Sequence, residues 1–286
     1  MKGKAYVRLG RVSNLPTVWT NVLAGVILAG GALEVTTLSA LLVTFSLFYV
    51  GGMFLNDAFD RHIDARERPE RPIPSGLTSA REVFAIGYGM LGAALLILVG
   101  LGGGSRWGPA VSGVGLAATI VYYDRHHKQN PVSPLVMGLC RVLVYVTAAL
   151  AVTGRVAAPV MAGALALLCY LIGLTYVAKQ ENLSEYRNLW PLGFLFAPFL
   201  YAVPTLLGGP VGALIYMGFL GWVCYAISFL VRKHRVNIPR AVVSFIAGIS
   251  LLDALLVAGR GAHLAAALSV VGFALTLFLQ RYVRGT

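Results

Sequence analysis

Asn56-Asp57-Ala58-Phe59-Asp60-Arg61-His62-Ile63-Asp64 follows directly on the apolar run 38–55, and Arg71-Pro72-Ile73-Pro74-Ser75-Gly76 follows it after residues 65–70. Asn56, Asp60 and Asp64 stand at i, i+4 and i+8. On a helix that spacing puts three oxygen donors on one face, a turn apart. Asp57 lies three before Asp60, on the edge of the same face. Carboxylates this close repel one another unless a cation sits between them. Carboxylate and amide oxygens suit a hard cation such as Mg²⁺, which takes one or two protein carboxylates and fills its other positions with water and phosphate oxygens. Such a row at the end of an apolar helix points to Mg²⁺-bridged binding of a phosphorylated lipid at a membrane surface.

The remainder of the chain supplies the membrane. Of 286 residues, 58% are hydrophobic and 12% charged, with a mean hydropathy of +0.77. A soluble domain cannot hide that much apolar surface, so the composition predicts an all-α, polytopic transmembrane bundle. Apolar runs predict helices near 15–33, 37–58, 80–101, 107–123, 134–153, 159–179, 190–206, 211–231, 239–258 and 262–281. That gives nine or ten spans in a single integral-membrane domain over 1–286. The basic segment 1–11 and the apolar stretch from Thr17 read as an uncleaved first helix rather than a signal peptide.

With the N-terminus in the cytoplasm, all but four of the 23 lysines and arginines fall in inward-facing segments. The exceptions are Arg106, Arg155 and Arg260 outside, and Arg141 within a helix. This is a strong positive-inside pattern. It puts both termini and the acidic loops in the cytoplasm of a multi-pass cell-membrane protein. The net charge of +12 is then mostly a device of topology, suited also to anionic lipid headgroups and diphosphates. Nucleic acid is excluded as a partner, because the basic residues sit in short loops with no soluble domain to present them. Cys140, Cys169 and Cys224 lie in apolar runs without CxxC spacing and read as small core residues.

The acidic stretch and the Arg-Pro-Ile-Pro-Ser-Gly segment together resemble the first signature of the UbiA family of intramembrane prenyltransferases. The resemblance implies a UbiA-like bundle whose cytoplasmic cap is formed by the helix 2–3 and helix 6–7 loops. It also implies Mg²⁺ held by Asn56, Asp57, Asp60 and Asp64, with Arg66 and Arg71 adding positive charge. The family's second acidic motif belongs after the sixth run. Here Tyr176 is followed by Gln180 and Ser184, and the acids Glu181 and Glu185 stand one step out of register. Two readings are open. Glu181 and Glu185, themselves at i and i+4, hold a second Mg²⁺, or Gln180 stands as a neutral ligand. The Tyr176…Gln180-Glu181 pattern is similar to the EboC-type branch, encoded in clusters for secondary metabolites.

Three further features bear on substrate. Tyr122, Asp124 and Lys128 are similar to the family's loop Tyr-Asp followed by Lys, which implies diphosphate contacts. Gly138-Leu139-Cys140-Arg141 resembles the family's Gly-x-x-Arg. Arg141 lies two turns inside a helix and must face the bundle interior, because a charge in lipid is costly. Asn14, Pro16, Thr17 and Asn21 give the first span a polar turn, and the family places Asn and Thr there on the cavity wall, which singles out Asn21. Phe45, Phe48, Tyr49, Tyr145, Tyr170, Phe194, Phe196 and Tyr201 could wall an isoprenoid tunnel.

The expected activity is Mg²⁺-dependent transfer of a prenyl group from a prenyl diphosphate to a small aromatic or lipid-like acceptor within the membrane. Asp60, Asp64, Lys128 and Arg141 carry the catalysis in this reading. The alternative is a carrier of an isoprenoid or secondary-metabolite precursor with weakened chemistry. It draws on the shifted second motif and on Val144, where relatives often carry Asn. A phosphatidyl-alcohol transferase is excluded because its Asp-Gly-x-x-Ala-Arg signature is absent.

Overall fold

The computed structural model describes residues 2–102, 107–128, 130–180, 190–231 and 236–283. Every element among them is helical. A short amphipathic helix, α1 (Lys2–Leu9), precedes α2 (Leu15–Leu28), α3 (Val35–Glu67), α4 (Ala80–Leu101), α5 (Gly108–His126), α6 (Ser133–Thr153) and α7 (Ala158–Lys179). After residues 181–189 come a 3₁₀ turn (Trp190–Phe196), α8 (Ala197–Tyr201), α9 (Val203–Leu207), α10 (Pro210–Val231), α11 (Ile238–Ala258) and α12 (His263–Leu279).

Six described helices (α3, α4, α6, α7, α10 and α11) are long and apolar enough to cross a membrane. The apolar stretches Val12–Leu28, Trp190–Tyr201 and His263–Leu279 are shorter. Length and composition thus support six spans, against the nine or ten expected. The expected seventh run, 190–206, is where the difference is clearest. Pro191, Pro198 and Pro204 punctuate it, and a ring in place of an N–H cannot sit in a helix interior. The run folds as a 3₁₀ turn and two five-residue helices instead. The loop of the expected second cap, 181–189, lies outside the described residues.

Consecutive helices pack side by side, α3 on α4, α5 on α6, α6 on α7, α10 on α11 and α11 on α12. Helix α2 closes the bundle from within, touching α3, α6, α11 and α12. Helix α11 is buried almost all round. The apolar core forms two main clusters, one joining α7, α10 and α11 to α2 and α6, the other joining α2 to α3, α4 and α5.

Small residues set the closest approaches. Thr17, Asn21 and Gly25 recur every four residues on α2 and face α6. A Cβ on Gly25 would come within 2.9 Å of the Tyr145 carbonyl oxygen and 3.0 Å of the Ala148 Cβ. Helix interfaces in lipid depend on such contacts, because lipid tails are as apolar as the side chains. On the α3–α4 interface a Cβ on Gly51 would meet Leu91 at 2.6 Å and the Gly87 carbonyl at 3.0 Å.

At 33 residues, α3 runs for about 50 Å, well beyond a hydrocarbon core of about 30 Å. Its last turns carry the acidic stretch clear of the apolar part of the bundle. The chain then turns back through 68–79 and enters α4 at Ser79. The Ser79 hydroxyl accepts from the Glu82 N–H at 3.2 Å, which caps the helix. The Glu82 carboxylate accepts from Thr78 at 3.1 Å and from Tyr6 of α1, and pairs with Lys2 at 3.4 Å. Helix α1 is tied in this way to the start of α4, with Leu9 buried against Phe54, Ala58 and Val83.

Gly25→Val is expected to push α2 off α6 and to lower stability by about 1–3 kcal/mol. Thermal unfolding of the detergent-purified protein checks this, and an unchanged midpoint would refute the close-approach account.

A cation-rich cavity at the end of the third helix

A cavity of about 320 Å³ opens between α3, α5, α6, α7, α11 and the start of α2. Each wall is one helical stripe. Helix α3 contributes Phe45, Phe48, Tyr49, Gly52, Met53, Asn56 and Asp60, and α5 with its C-cap His127 contributes Leu116, Ile120, Tyr123, Asp124 and His127. These recur at three- and four-residue steps, so each set lies on a single face. The cavity is polar at the Asn56 end and apolar toward Val144, Leu171, Leu174, Ile246 and Ile249.

The cavity lining carries more cations than carboxylates. Arg11, Arg68, Arg71, Lys128 and Arg141 border it, against the carboxylates Asp60 and Asp124. Arg71 Nη1 donates to Asp64 Oδ2 at 2.7 Å and to Asp57 Oδ1 at 3.3 Å. Arg11 Nη2 donates to Asp57 Oδ1 at 3.0 Å and to Asn56 Oδ1 at 3.3 Å. To reach them, Arg11 adopts the left-handed conformation (φ 41°, ψ 46°) between α1 and α2. Lys128 Nζ and His127 Nε2 each lie 3.5 Å from Asp60 Oδ2. Burial pushes the His127 imidazole below its ordinary pKa, although Asp60 pulls the other way. Lys128 is then the partner that brings charge to Asp60. Asn56 Nδ2 donates to Asp124 Oδ1 at 3.3 Å, while Asp124 Oδ2 is buried with no hydrogen-bond partner among the described residues.

The structure sorts the residues expected from the sequence. Asn56, Asp60, Arg71, Asp124, Lys128 and Arg141 border the cavity. Asp57 and Asp64 are buried beside it, with their oxygens on Arg71 and, for Asp57, Arg11. Arg66 is exposed at the end of α3 and away from the cavity. Tyr122 is half exposed and lies against His126, and Tyr123, about 100° round the helix, takes the wall position instead. On α7 the same one-step phase difference puts Thr175 rather than Tyr176 on the wall. Gln180 is buried, and its amide finds no partner among the described residues. Asn21 is fully buried behind Arg141 rather than on the wall. Glu181 and Glu185 lie outside the described residues. Of the aromatic residues considered, Phe45, Phe48 and Tyr49 line the cavity, whereas Tyr145 and Tyr170 hydrogen-bond within the core.

Arg11, Arg68 and His127 are wall residues that the motifs did not single out. Arg68 lies between the two halves of the motif stretch, and that proximity was the available signal. Arg11 is separated from Asn56 by a whole span, and nothing in its local sequence marks it.

Asn56, Asp60 and Asp124 offer oxygen donors of the kind a hard cation takes. Among the described residues no group of three or more His, Cys, Asp or Glu forms a ready-made metal cage. The set therefore fits Mg²⁺, which relies on few protein ligands and on substrate phosphate oxygens, better than Zn²⁺.

This is a multi-pass helical membrane protein with an amphipathic internal cavity. The UbiA prenyltransferase family model matches residues 17–249, and the chain belongs to that family. The digeranylgeranylglyceryl phosphate synthase of Methanocaldococcus jannaschii is 28% identical over 211 residues, covering 72% of this chain and 70% of the relative. That of Methanopyrus kandleri is 38% identical over 94 residues, covering 30% of this chain and 34% of the relative. That of Ignicoccus hospitalis is 37% identical over 123 residues, covering 43% and 38%. The last two matches thus span little more than a third of the relatives' length. Among solved structures, a digeranylgeranylglyceryl phosphate synthase superposes with a TM-score of 0.64 at 19% identity, covering 92% of this chain and 98% of the other. A UbiA homologue from Archaeoglobus fulgidus bound to GPP and Mg²⁺ gives 0.63 at 15%, covering 91% and 99%. At these identities the structures speak to the fold.

Arg71→Ala is expected to take the arginine from Asp64 and leave Asp57 with Arg11 alone, and to cost about 3–5 kcal/mol, as when one partner of a buried pair is removed. Arg66→Ala, at an exposed position, is expected to stay within about 0.5 kcal/mol. Thermal unfolding of the two variants side by side checks this, and equal shifts would contradict the pairing described.

Proposed function

We propose that the protein transfers a prenyl group from a prenyl diphosphate to the hydroxyl of a phosphorylated glycerol lipid, with Mg²⁺, inside the membrane. The observation that carries this reading is the cavity itself. Its mouth joins oxygen donors to several cations, and its interior is apolar and aromatic. A prenyl diphosphate has the matching polarity. The relatives, named as synthases of digeranylgeranylglyceryl phosphate, make a glycerol phosphate ether the first acceptor to test, ahead of a secondary-metabolite phenol. The positive-inside charge pattern puts the Asn56 end of the bundle in the cytoplasm of a cell-membrane protein.

Asn56 and Asp60, with Asp124 beside them, are the proposed Mg²⁺ holders. Glu181 and Glu185 remain proposed for a second ion. Mg²⁺ bound there supplies positive charge to the diphosphate leaving group. Lys128, Arg68 and Arg11 add fixed charge at the same end, where it stabilises the diphosphate more as it departs than before. The C–O bond breaks and its electron pair leaves with the diphosphate. The allylic cation left behind faces Phe45, Phe48 and Tyr49, whose π faces favour a cation over neutral carbon. The acceptor hydroxyl oxygen forms the new C–O bond, and its proton leaves with the diphosphate. The apolar walls keep water from competing.

The test is diphosphate release by the lipid-reconstituted protein with geranylgeranyl diphosphate and geranylgeranylglyceryl phosphate. Release is expected to need Mg²⁺ and to stop in EDTA. Asp60→Ala is expected to lower kcat on the order of 10²–10³-fold, the range for loss of one preorganised electrostatic contact. Release that persists in EDTA, or an Asp60→Ala variant within threefold of wild type, would overturn the Mg²⁺ assignment.

A further inference from the structure

Asp253 lies in α11 with no solvent exposure, inside the apolar part of the bundle. A carboxylate there is costly unless its oxygens are met. Oδ2 accepts from Thr20 Oγ1 at 2.6 Å and from Asn21 Nδ2 at 2.7 Å, and Oδ1 accepts from the Tyr145 hydroxyl. Every donor is neutral. The cation of the network stands one residue away. Arg141 Nη1 donates to Asn21 Oδ1 at 2.8 Å, and Nη2 donates to Thr17 Oγ1 at 3.1 Å.

This arrangement differs from a simple buried ion pair. A pair that served stability alone would set the carboxylate on the guanidinium. Here an amide is interposed, and its orientation is forced. Asn21 gives its N–H to Asp253, so its carbonyl oxygen must face Arg141. The guanidinium is thereby held on the cavity wall, 5.7 Å from the centre of the Tyr49 ring, with no carboxylate of the described residues touching it. Two of its five N–H donors are placed by Asn21 and Thr17. Tyr49 stands about two turns before Asn56 on α3, and Arg141 borders the same cavity beside its ring. In the prenyl-transfer reading the diphosphate binds with Mg²⁺ at Asn56 and Asp60, which leaves Arg141 for the acceptor.

We propose that Asp253 is a positioning residue for Arg141, acting through Asn21 to fix the guanidinium where it meets the anionic group of the acceptor. This rests on the prenyl-transfer reading above, and it assigns acceptor affinity to a residue that touches neither substrate. Two other features also oppose rotation of the amide. Thr20 donates to the same carboxylate oxygen, and Tyr145 lies one turn from Arg141 on α6, so α2, α6 and α11 are locked together at this one point.

The experiment measures kcat and both KM values, with melting temperature, for wild type, Asp253→Asn and the exchange Asn21→Asp/Asp253→Asn. Asp253→Asn is expected to raise the acceptor KM about tenfold while the prenyl diphosphate KM stays within twofold. The exchange puts the carboxylate on α2, directly on Arg141, with an amide behind it, and is expected to leave the acceptor KM raised at least as far as Asp253→Asn does, because the acceptor must then displace a direct salt bridge. If Asp253→Asn does not fold, Tyr145→Phe removes one donor from Asp253 and is expected to raise the acceptor KM about threefold. Lower melting temperatures with both KM values unchanged would overturn the proposal and leave a purely structural network. A shift in the prenyl diphosphate KM alone would also overturn it. No release by the wild type would sink the prenyl-transfer reading and this inference with it.

Discussion

The carboxylates at the end of α3 set the terms for the rest of the molecule. Asp57, Asp60 and Asp64 lie within two turns of one helix and are buried. Like charges at that spacing disfavour their own helix, and desolvation adds to the cost. The chain meets this by bending back at residues 68–79 so that Arg71 reaches two of them, and by strapping α1 across α3 so that Arg11 reaches from the other side. The unusual backbone of Arg11 belongs to the same solution. A non-glycine residue at positive φ persists only where its surroundings over-determine it, and here the guanidinium is anchored on Asn56 and Asp57. The loop and α1 are structural consequences of the acidic row.

The pairing also prepares the site. Asp57 and Asp64 each have an oxygen on an arginine, whereas Asp60 has longer contacts to Lys128 and His127, and one oxygen of Asp124 has no partner among the described residues. The acids thus divide into those that hold the loop and those still open to a ligand. That division follows from helix phase. Asn56 and Asp60 share the stripe that begins at Phe45, Phe48 and Tyr49, and Asp57 is rotated off it by about 100°. One helix face therefore runs from aromatic rings to oxygen donors without interruption.

How much of this the sequence could reveal depended on range. The bundle was legible because apolar runs of about 20 residues have one stable answer in lipid, and the mouth was legible because its donors are local, within 56–71. Helix phase was the first limit. Tyr122 and Tyr176 satisfied a motif but lie one step from the residues that face the cavity, Tyr123 and Thr175, and a spacing rule without a known face cannot separate neighbours. Long-range pairing was the second. Asp253 is an acid within an apolar helix, and its partners are some 110 to 230 residues away, beyond the reach of any local pattern. Asn21 was placed on the wall by analogy, whereas the close approach at Gly25 brings α2 near enough for it to serve Arg141 from behind. Proline set the third limit. Hydropathy sees 190–206 as one span, and only the missing backbone donors show why it breaks.

The two polar centres differ in how they meet the cost of charge in a membrane protein. At the mouth, short loops are near and arginines and a lysine stand beside the acids, so the charge can follow a leaving group. Arg141 instead sits among Thr17, Asn21 and Tyr49, where a free guanidinium would seek the nearest carboxylate. Placing Asn21 between Arg141 and Asp253 prevents that collapse while keeping the pair close enough for their charges to offset one another. The arginine stays desolvated, fixed and short of a counter-ion, which is the state in which an incoming anion gains most from it. A direct salt bridge in the same place would stabilise the bundle as well, but it would have to be broken each time an acceptor entered.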